Sequence, residues 1–143
     1  MGVEITGTAL ETFRRLKASR PALLRALQRA AQLVTRSAKA NVRRVLNTTG
    51  EATGNLARSI TMDVDDAGLE AEVGPRRVVY AAIHEYGGVI RPVRARALMF
   101  QVGGQWVTAR SVTIPARPYL HPALDENQAR IEQEFDNAVE GLV

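Results

Sequence analysis

The chain has 143 residues, 45% hydrophobic and 24% charged, with no cysteine and a formal net charge of +4. That length makes one domain, residues 1–143, large enough to bury a core without staples. Disulfides, thiolate metal sites and thiol nucleophiles are excluded together. The absence of any apolar run near ~20 residues excludes a membrane-spanning helix, and Met1-Gly2-Val3-Glu4 does not begin a signal peptide.

In chain order, Val3 to Thr6 alternates as a short edge strand and Ala9 to Ala18 reads as a short helix. Pro21 then occupies a first helical position, with Ser19 as the nearby cap, and a helical pattern runs to about Leu46. Leu23, Leu27, Ala30, Val34, Ala38, Asn41 and Val45 recur at three and four residues, so all but Asn41 make one apolar stripe. At 100° per residue Arg25, Arg29, Arg36, Lys39 and Arg43 fall together on the opposite side. About 26 residues span roughly 39 Å, slightly more than the ~37 Å width expected of a domain this size. This helix therefore crosses the whole body.

After the polar loop Asn47 to Asn55, Arg58 to Val64 and Leu69 to Val73 alternate as strands joined by the turn Asp65-Asp66-Ala67-Gly68. A basic loop between Gly88 and Ala97 carries Arg91, Arg94 and Arg96. Leu98 to Val102 and Gln105 to Thr108 flank Gly103-Gly104, a two-residue hairpin signal, with Met99, Val102, Trp106 and Val112 available for packing. Prolines 115, 118 and 122 mark the exit from sheet into a last helix that begins near Pro118 or His121. Its inner stripe is Leu120, Leu124, Ile131, Phe135, Ala138 and Leu142, while Asp125, Glu126, Glu132, Asp136 and Glu140 point elsewhere. The fold expected is α+β, with a long N-terminal amphipathic helix and a C-terminal helix packed on an antiparallel β-sheet.

Charge is blocked along the chain. Residues 1–60 net +8, 61–74 net −5, 75–122 net +6 with Glu85 the lone acid, and 123–143 net −5; arginine outnumbers lysine 17 to 2. Solubility is better served by mixed signs, and arginine's planar fork favours carboxylates or phosphates in fixed geometry. The blocks point to contact between chains, in which a basic helix face on one copy meets an acidic helix on another. Pairing of the two helices within one chain is the alternative, and a solvated face or DNA phosphate contact at the arginine stripe also stays open.

No catalytic, cofactor or metal constellation stands out. His84-Glu85 begins like a zinc-protease helix, but that chemistry needs a second histidine four residues on, where Gly88 stands. Ser59, His84 and Asp63 lack the glycine-flanked elbow that exposes a serine nucleophile, and His84 reads as a hydrogen-bonded residue near the sheet. Asp63, Asp65 and Asp66 read as a solvated turn. Neither Gly87-Gly88 nor Gly103-Gly104 opens a phosphate-binding helix.

Three blocks carry more than their composition: Thr53-Gly54-Asn55-Leu56-Ala57-Arg58-Ser59-Ile60, then Tyr80-Ala81-Ala82-Ile83-His84-Glu85-Tyr86-Gly87, then Ala116-Arg117-Pro118-Tyr119-Leu120. In order and spacing they resemble the bacteriophage tail-completion or head-tail joining (neck) proteins, related to phage virion morphogenesis proteins. The matching positions are Gly54, Leu56 and Ile60; Tyr80, His84, Tyr86 and Gly87; and Arg117, Pro118, Tyr119 and Leu120. The resemblance implies a structural virion protein, not an enzyme, made in the host cytoplasm. It would sit at the head-tail junction as a ring, commonly sixfold, against tail-tube and head-connector proteins. The matching apolar residues would pack helix on sheet and Arg117 would anchor the junction. The insertion 88–113 is longer than the minimal pattern. Candidate interface residues are Arg25, Arg29, Arg36, Lys39, Arg43, Arg91, Arg94, Arg96, Arg117, Asp125, Glu132 and Asp136. A basic DNA-associated protein of phage or prophage origin is the alternative.

Overall fold

A computed structural model describes residues 19–47, 54–78 and 80–141. The expected strand Val3 to Thr6, the helix Ala9 to Ala18 and Leu142 lie outside the described residues. Helix α1 is Arg20–Asn47, 28 residues and about 42 Å at 1.5 Å per residue. It starts as its sequence directs: the Ser19 carbonyl accepts from the amides of Ala22 and Leu23 at 2.9 and 3.0 Å, and Pro21 occupies the first turn, where a missing N–H leaves no bond unmade.

The buried line of α1 runs through Ala26, Ala30, Val34, Ala38, Asn41 and Val42 to Leu46. It is turned slightly from the expected stripe, so that Leu23, Leu27 and Val45 are only half-buried. The alanines are the reason: without bulk, they let helix α4 (Leu120–Glu140) approach along the length of α1. Ala123 and Ala138 do the same from the other side. Leu124, expected on the inner stripe of α4, is 52% exposed, because Ala123 and Asn127 take the contact line one residue earlier. Buried Asn127 is satisfied: its Nδ2 donates to Ser37 Oγ and to the Ala123 carbonyl, both at 2.7 Å.

Residues 54–59 differ from the strand expected from Arg58 onward. They form a short helix α2 (Gly54–Ser59), which buries Leu56 and Ala57 against α1, and the chain extends only at Ile60. Strands β1 (Ile60–Asp65) and β2 (Glu70–Pro75) pair antiparallel from Ile60↔Pro75 to Asp65↔Glu70. Ile60, Met62 and Val64 share the face turned toward α1 with Val73 and Ala71, while Asp63 and Glu72 stand opposite each other on the outer face. Such like charges repel. Arg76 relieves the pair by reaching Asp63 at 3.1 Å, and Arg20 Nη2 ties the turn to α1 through the carbonyls of Asp66 and Ala67.

Beyond β2 a second short helix, α3 (Ala81–Tyr86), precedes β3 (Gly88–Ile90), β4 (Leu98–Val102), β5 (Gln105–Ala109) and β6 (Val112–Ile114). Among the described residues the strands form three separate two-stranded antiparallel ladders, β1–β2, β3–β6 and β4–β5, in place of one continuous sheet. The β4–β5 hairpin is nested between β3 and β6, and its turn is the expected one, with Gly103 and Gly104 at φ +58° and +82°. The core collects Val34, Ala38, Val42 and Leu46 of α1, Leu56, Ala57 and Ile60, then Ala81, Tyr119 and Ala123. Met99, Val102 and Trp106 are absent from it and exposed, and Val112 pairs with Ile90 instead of joining them. The reason is topological: among the described residues β4 pairs only with β5, and no third strand there carries the ladder back to the body.

Candidate functional site

The two sequence blocks around residues 80–88 and 114–121 meet in space, and Glu85 joins them. Helix α4 has no side-chain cap of its own, since Tyr119 stands at its N-cap position. Its opening amides are those of Tyr119, Leu120 and His121, and Pro122 has none. Glu85, only 4% exposed, accepts all three: Tyr119 and Leu120 donate to Oε2 at 2.8 and 2.9 Å, and the His121 amide donates to Oε1 at 3.0 Å. The His121 ring adds Nδ1 to Oε1 at 2.6 Å. Burial alone would push this carboxyl up, but the amides of Leu120, His121 and Tyr119 and the His121 ring outweigh it and hold Glu85 below its ordinary value. A carboxylate at a helix N-terminus also meets the positive end of the dipole.

Tyr119 completes the knot. It is 2% exposed, its hydroxyl donates to the Ala81 carbonyl at 3.2 Å, and Asn41 Nδ2 of α1 donates to the Tyr119 carbonyl at 3.3 Å. Burial, then the charge of Glu85, push its phenol up to about 12. The amide of Arg117 donates to the His84 carbonyl at 2.7 Å. Gly87, at φ +70°, lies so close to the returning chain that a Cβ would stand 2.7 Å from the Ala116 amide nitrogen. Tyr80 and Tyr86 place their rings edge-on to His84 and His121 at 5.7 and 5.8 Å. His84 is hydrogen-bonded through its backbone, its amide donating to the Tyr80 carbonyl at 3.3 Å, while its ring Nδ1 is buried without a hydrogen-bond partner. Leu56 and Ile60 are fully buried, Gly54 opens α2 and Pro118 is exposed.

Ser59 Oγ donates to the Leu56 carbonyl at 2.7 Å, and Asp63 is engaged by Arg76. Among the described residues no group of three or more His, Cys, Asp or Glu is placed to hold a metal ion, and no helix is long and apolar enough to cross a membrane.

The interface candidates fall in three places. Arg25, Arg36 and Arg43 are exposed along α1 with Lys39 half-buried. Arg29 is spent inside the chain, its Nε 2.5 Å from Glu134, and Arg44 lies 3.9 Å from Glu126. The helices α1 and α4 are thus neighbours joined by ion pairs. Asp125, Glu132 and Asp136 are exposed on the outer side of α4. Arg91, Arg94 and Arg96 are exposed in the segment before β4, and Arg117 is half-buried at the junction. Sequence reasoning misses Glu85 as a structural residue, although it is the lone acid in a block of seven arginines. Its isolation beside a proline-rich, uncapped helix start is the available signal.

A model of the phage virion morphogenesis family matches residues 26–140, from the first turns of α1 to the last residue of α4. The chain belongs to that family. Its role is structural, in the building of a phage particle. The match spans α1, the Glu85 junction and α4, the parts that carry the core. No curated protein and no solved structure matches the chain.

Proposed function

We propose that this member of the virion morphogenesis family forms a ring at the head-proximal end of the phage tail, completing the tail or joining tail tube to head connector. The reading rests on one observation above others. The 88–114 segment carries an exposed apolar hairpin between exposed arginines, on a body whose own core is closed by the Glu85 junction. A rigid body with an uncovered strand pair suits a part that is finished by its neighbours. Its partners are other copies of itself, tail-tube subunits and connector subunits; it needs no cofactor and performs no reaction. It is made in the host cytoplasm and ends in the virion.

Deleting the gene from the phage or prophage that carries it tests this. The expected phenotype is full heads and separate tails, restored to joined particles by the wild-type gene. Intact, infectious particles without the protein would remove the reading. The second reading, a DNA-associated protein, is favoured by the exposed Arg25, Arg36 and Arg43 on one helix. It predicts DNA affinity falling steeply with salt.

A further inference from the structure

The β4–β5 hairpin exposes apolar side chains on both faces, and the strand register assigns them. Met99 and Trp106 are diagonal neighbours on one face, 69% and 66% exposed; Phe100, Val102 and Val107 line the other. A lone two-stranded hairpin is marginal in water, and tryptophan and arginine are the residues most enriched in interface hot spots. Arg94 and Arg96 precede the hairpin and Arg110 follows it, all exposed.

A surface of opposite kind lies between α1, β2 and α4. It is a groove of about 380 Å³ walled by Leu27, Val34, Val73, Leu124, Ile131 and Phe135, large enough for an indole. The helix that walls it, α4, also carries the exposed carboxylates of Asp125, Glu132 and Asp136 on its outer side, the next face round from Leu124 and Phe135. Cations flank the apolar hairpin in the chain, and anions lie on the outer side of the helix that walls the apolar groove. Complementary potentials of this kind steer and orient association.

We propose that the Trp106 face of the hairpin seats in the α1–β2–α4 groove of a second copy of this chain, with Arg94, Arg96 and Arg110 against the acidic side of that copy's α4. The contact is heterologous, since hairpin and groove are different patches, and repeated by a closing rotation it makes a ring. The inference deepens the proposed function and rests on it for the ring, but names surfaces which that reading leaves open.

The absence of cysteine makes the test clean. Single variants Trp106→Cys and Leu124→Cys of the full chain are mixed and oxidised. The expected product is a disulfide dimer in the mixture and little in either variant alone, with both together in one chain giving a ladder of cross-linked multimers. Trp106→Asp, at an exposed position where folding is retained by circular dichroism, weakens self-association roughly 30-fold by sedimentation, the size of a lost hot-spot aromatic. Three results overturn the proposal: Trp106→Cys linking to itself, which makes the contact hairpin to hairpin; a chain that stays monomeric at every concentration reached; or Leu124→Cys shielded from a thiol reagent in the monomer, which means that the chain's own residues fill the groove. If these occur while labelled protein is still found at head-tail junctions, only this contact fails. If the cross-link forms but particles lack the protein, the virion role fails instead.

Discussion

The Glu85 carboxylate accepts the Tyr119 amide at 2.8 Å across 34 residues of chain, and this bond lets a helix with no cap of its own begin where it does. Substituting Glu85 by Ala leaves three opening amides and the His121 ring without their acceptor. Charged hydrogen bonds of this type are worth ~1.5–3 kcal/mol each but are far from additive, and water can reach Leu120 and His121. Glu85→Ala is expected to cost about 2–4 kcal/mol in urea unfolding. Glu85→Gln, which keeps one acceptor oxygen, should cost about half as much.

The same site sets an acid limit. Glu85 is held below its ordinary value of 4.5 in the folded chain. A carboxyl of lower pKa when folded contributes stability that is present above the unfolded value and is lost as pH falls through the folded one. Unfolding free energy should therefore decline below pH 4.5, and the decline should be shallower in Glu85→Gln. Equal acid slopes in the two proteins would show that Glu85 does not govern the loss.

The alkaline side has the opposite sign. Tyr119 is raised to about 12, so its contribution is present below the ordinary value of 10.0 and lost as pH rises toward 12. Tyr119→Phe removes the hydroxyl bond to Ala81 and should lower stability by about 1–2 kcal/mol at neutral pH, while abolishing this part of the alkaline loss. Tyrosinate absorbance recorded beside circular dichroism separates the ionisation from the unfolding.

Two glycines with positive φ separate conformational cost from collision. At Gly104, φ +82°, a Cβ would meet nothing within 4 Å, so Gly104→Ala is expected to cost only the left-handed penalty of about 1–2 kcal/mol. At Gly87, φ +70°, the Cβ would meet backbone atoms, the Ala116 nitrogen at 2.7 Å and the Ile114 oxygen at 2.9 Å. These cannot turn aside as a side chain can. Gly87→Ala should cost at least about 2 kcal/mol more than Gly104→Ala and should loosen the β3–β6 pairing, read by amide exchange at Val89 and Ile90.

What the sequence disclosed follows the range of the forces involved. α1, the Gly103-Gly104 turn and the β1–β2 turn were legible because periodicity, proline position and paired glycines act within a few residues. The short helix Gly54–Ser59 was not, because six residues hold too few turns for a period and are fixed by burial of Leu56 and Ala57 against α1. The inner line of α4 was displaced by one residue at Leu124, since size suggested leucine as the contact while close packing chose Ala123. Of the candidate site, the two blocks that meet at Glu85 were visible as unusual text, but their partnership was a matter of tertiary distance.

The segment before β4 offers a test by protease. Trypsin cleaves after Arg94 and Arg96, whereas Arg91 is followed by Pro92 and resists. Both sites are exposed in the isolated chain, so limited digestion should cut there before it reaches α1. In assembled particles the same sites should be protected, by at least about tenfold in rate if the open state becomes a minor population. Equal rates in both states would mean that this segment meets no neighbour.

Charge variants on α1 distinguish assembly from DNA contact. Arg29 pairs with Glu134 inside the chain, with both side chains partly exposed, so Arg29→Ala should cost less than ~1 kcal/mol of stability. Arg29→Glu sets two acids side by side and should cost somewhat more. Arg25, Arg36 and Arg43 are exposed, and their joint replacement by Glu should leave the melting transition nearly unmoved, within ~0.5 kcal/mol per site. If these arginines hold DNA, the triple variant should lose binding and flatten the slope of affinity against salt by about 0.9 for each phosphate it no longer neutralises. If they are a solvated face on a virion subunit, DNA affinity is weak before the change as well as after it, and particle assembly proceeds. If they meet a tail or connector subunit, the triple variant folds normally and blocks head-tail joining without altering DNA affinity. Complementation of the gene deletion by the triple variant, scored by joined particles, separates the last two outcomes.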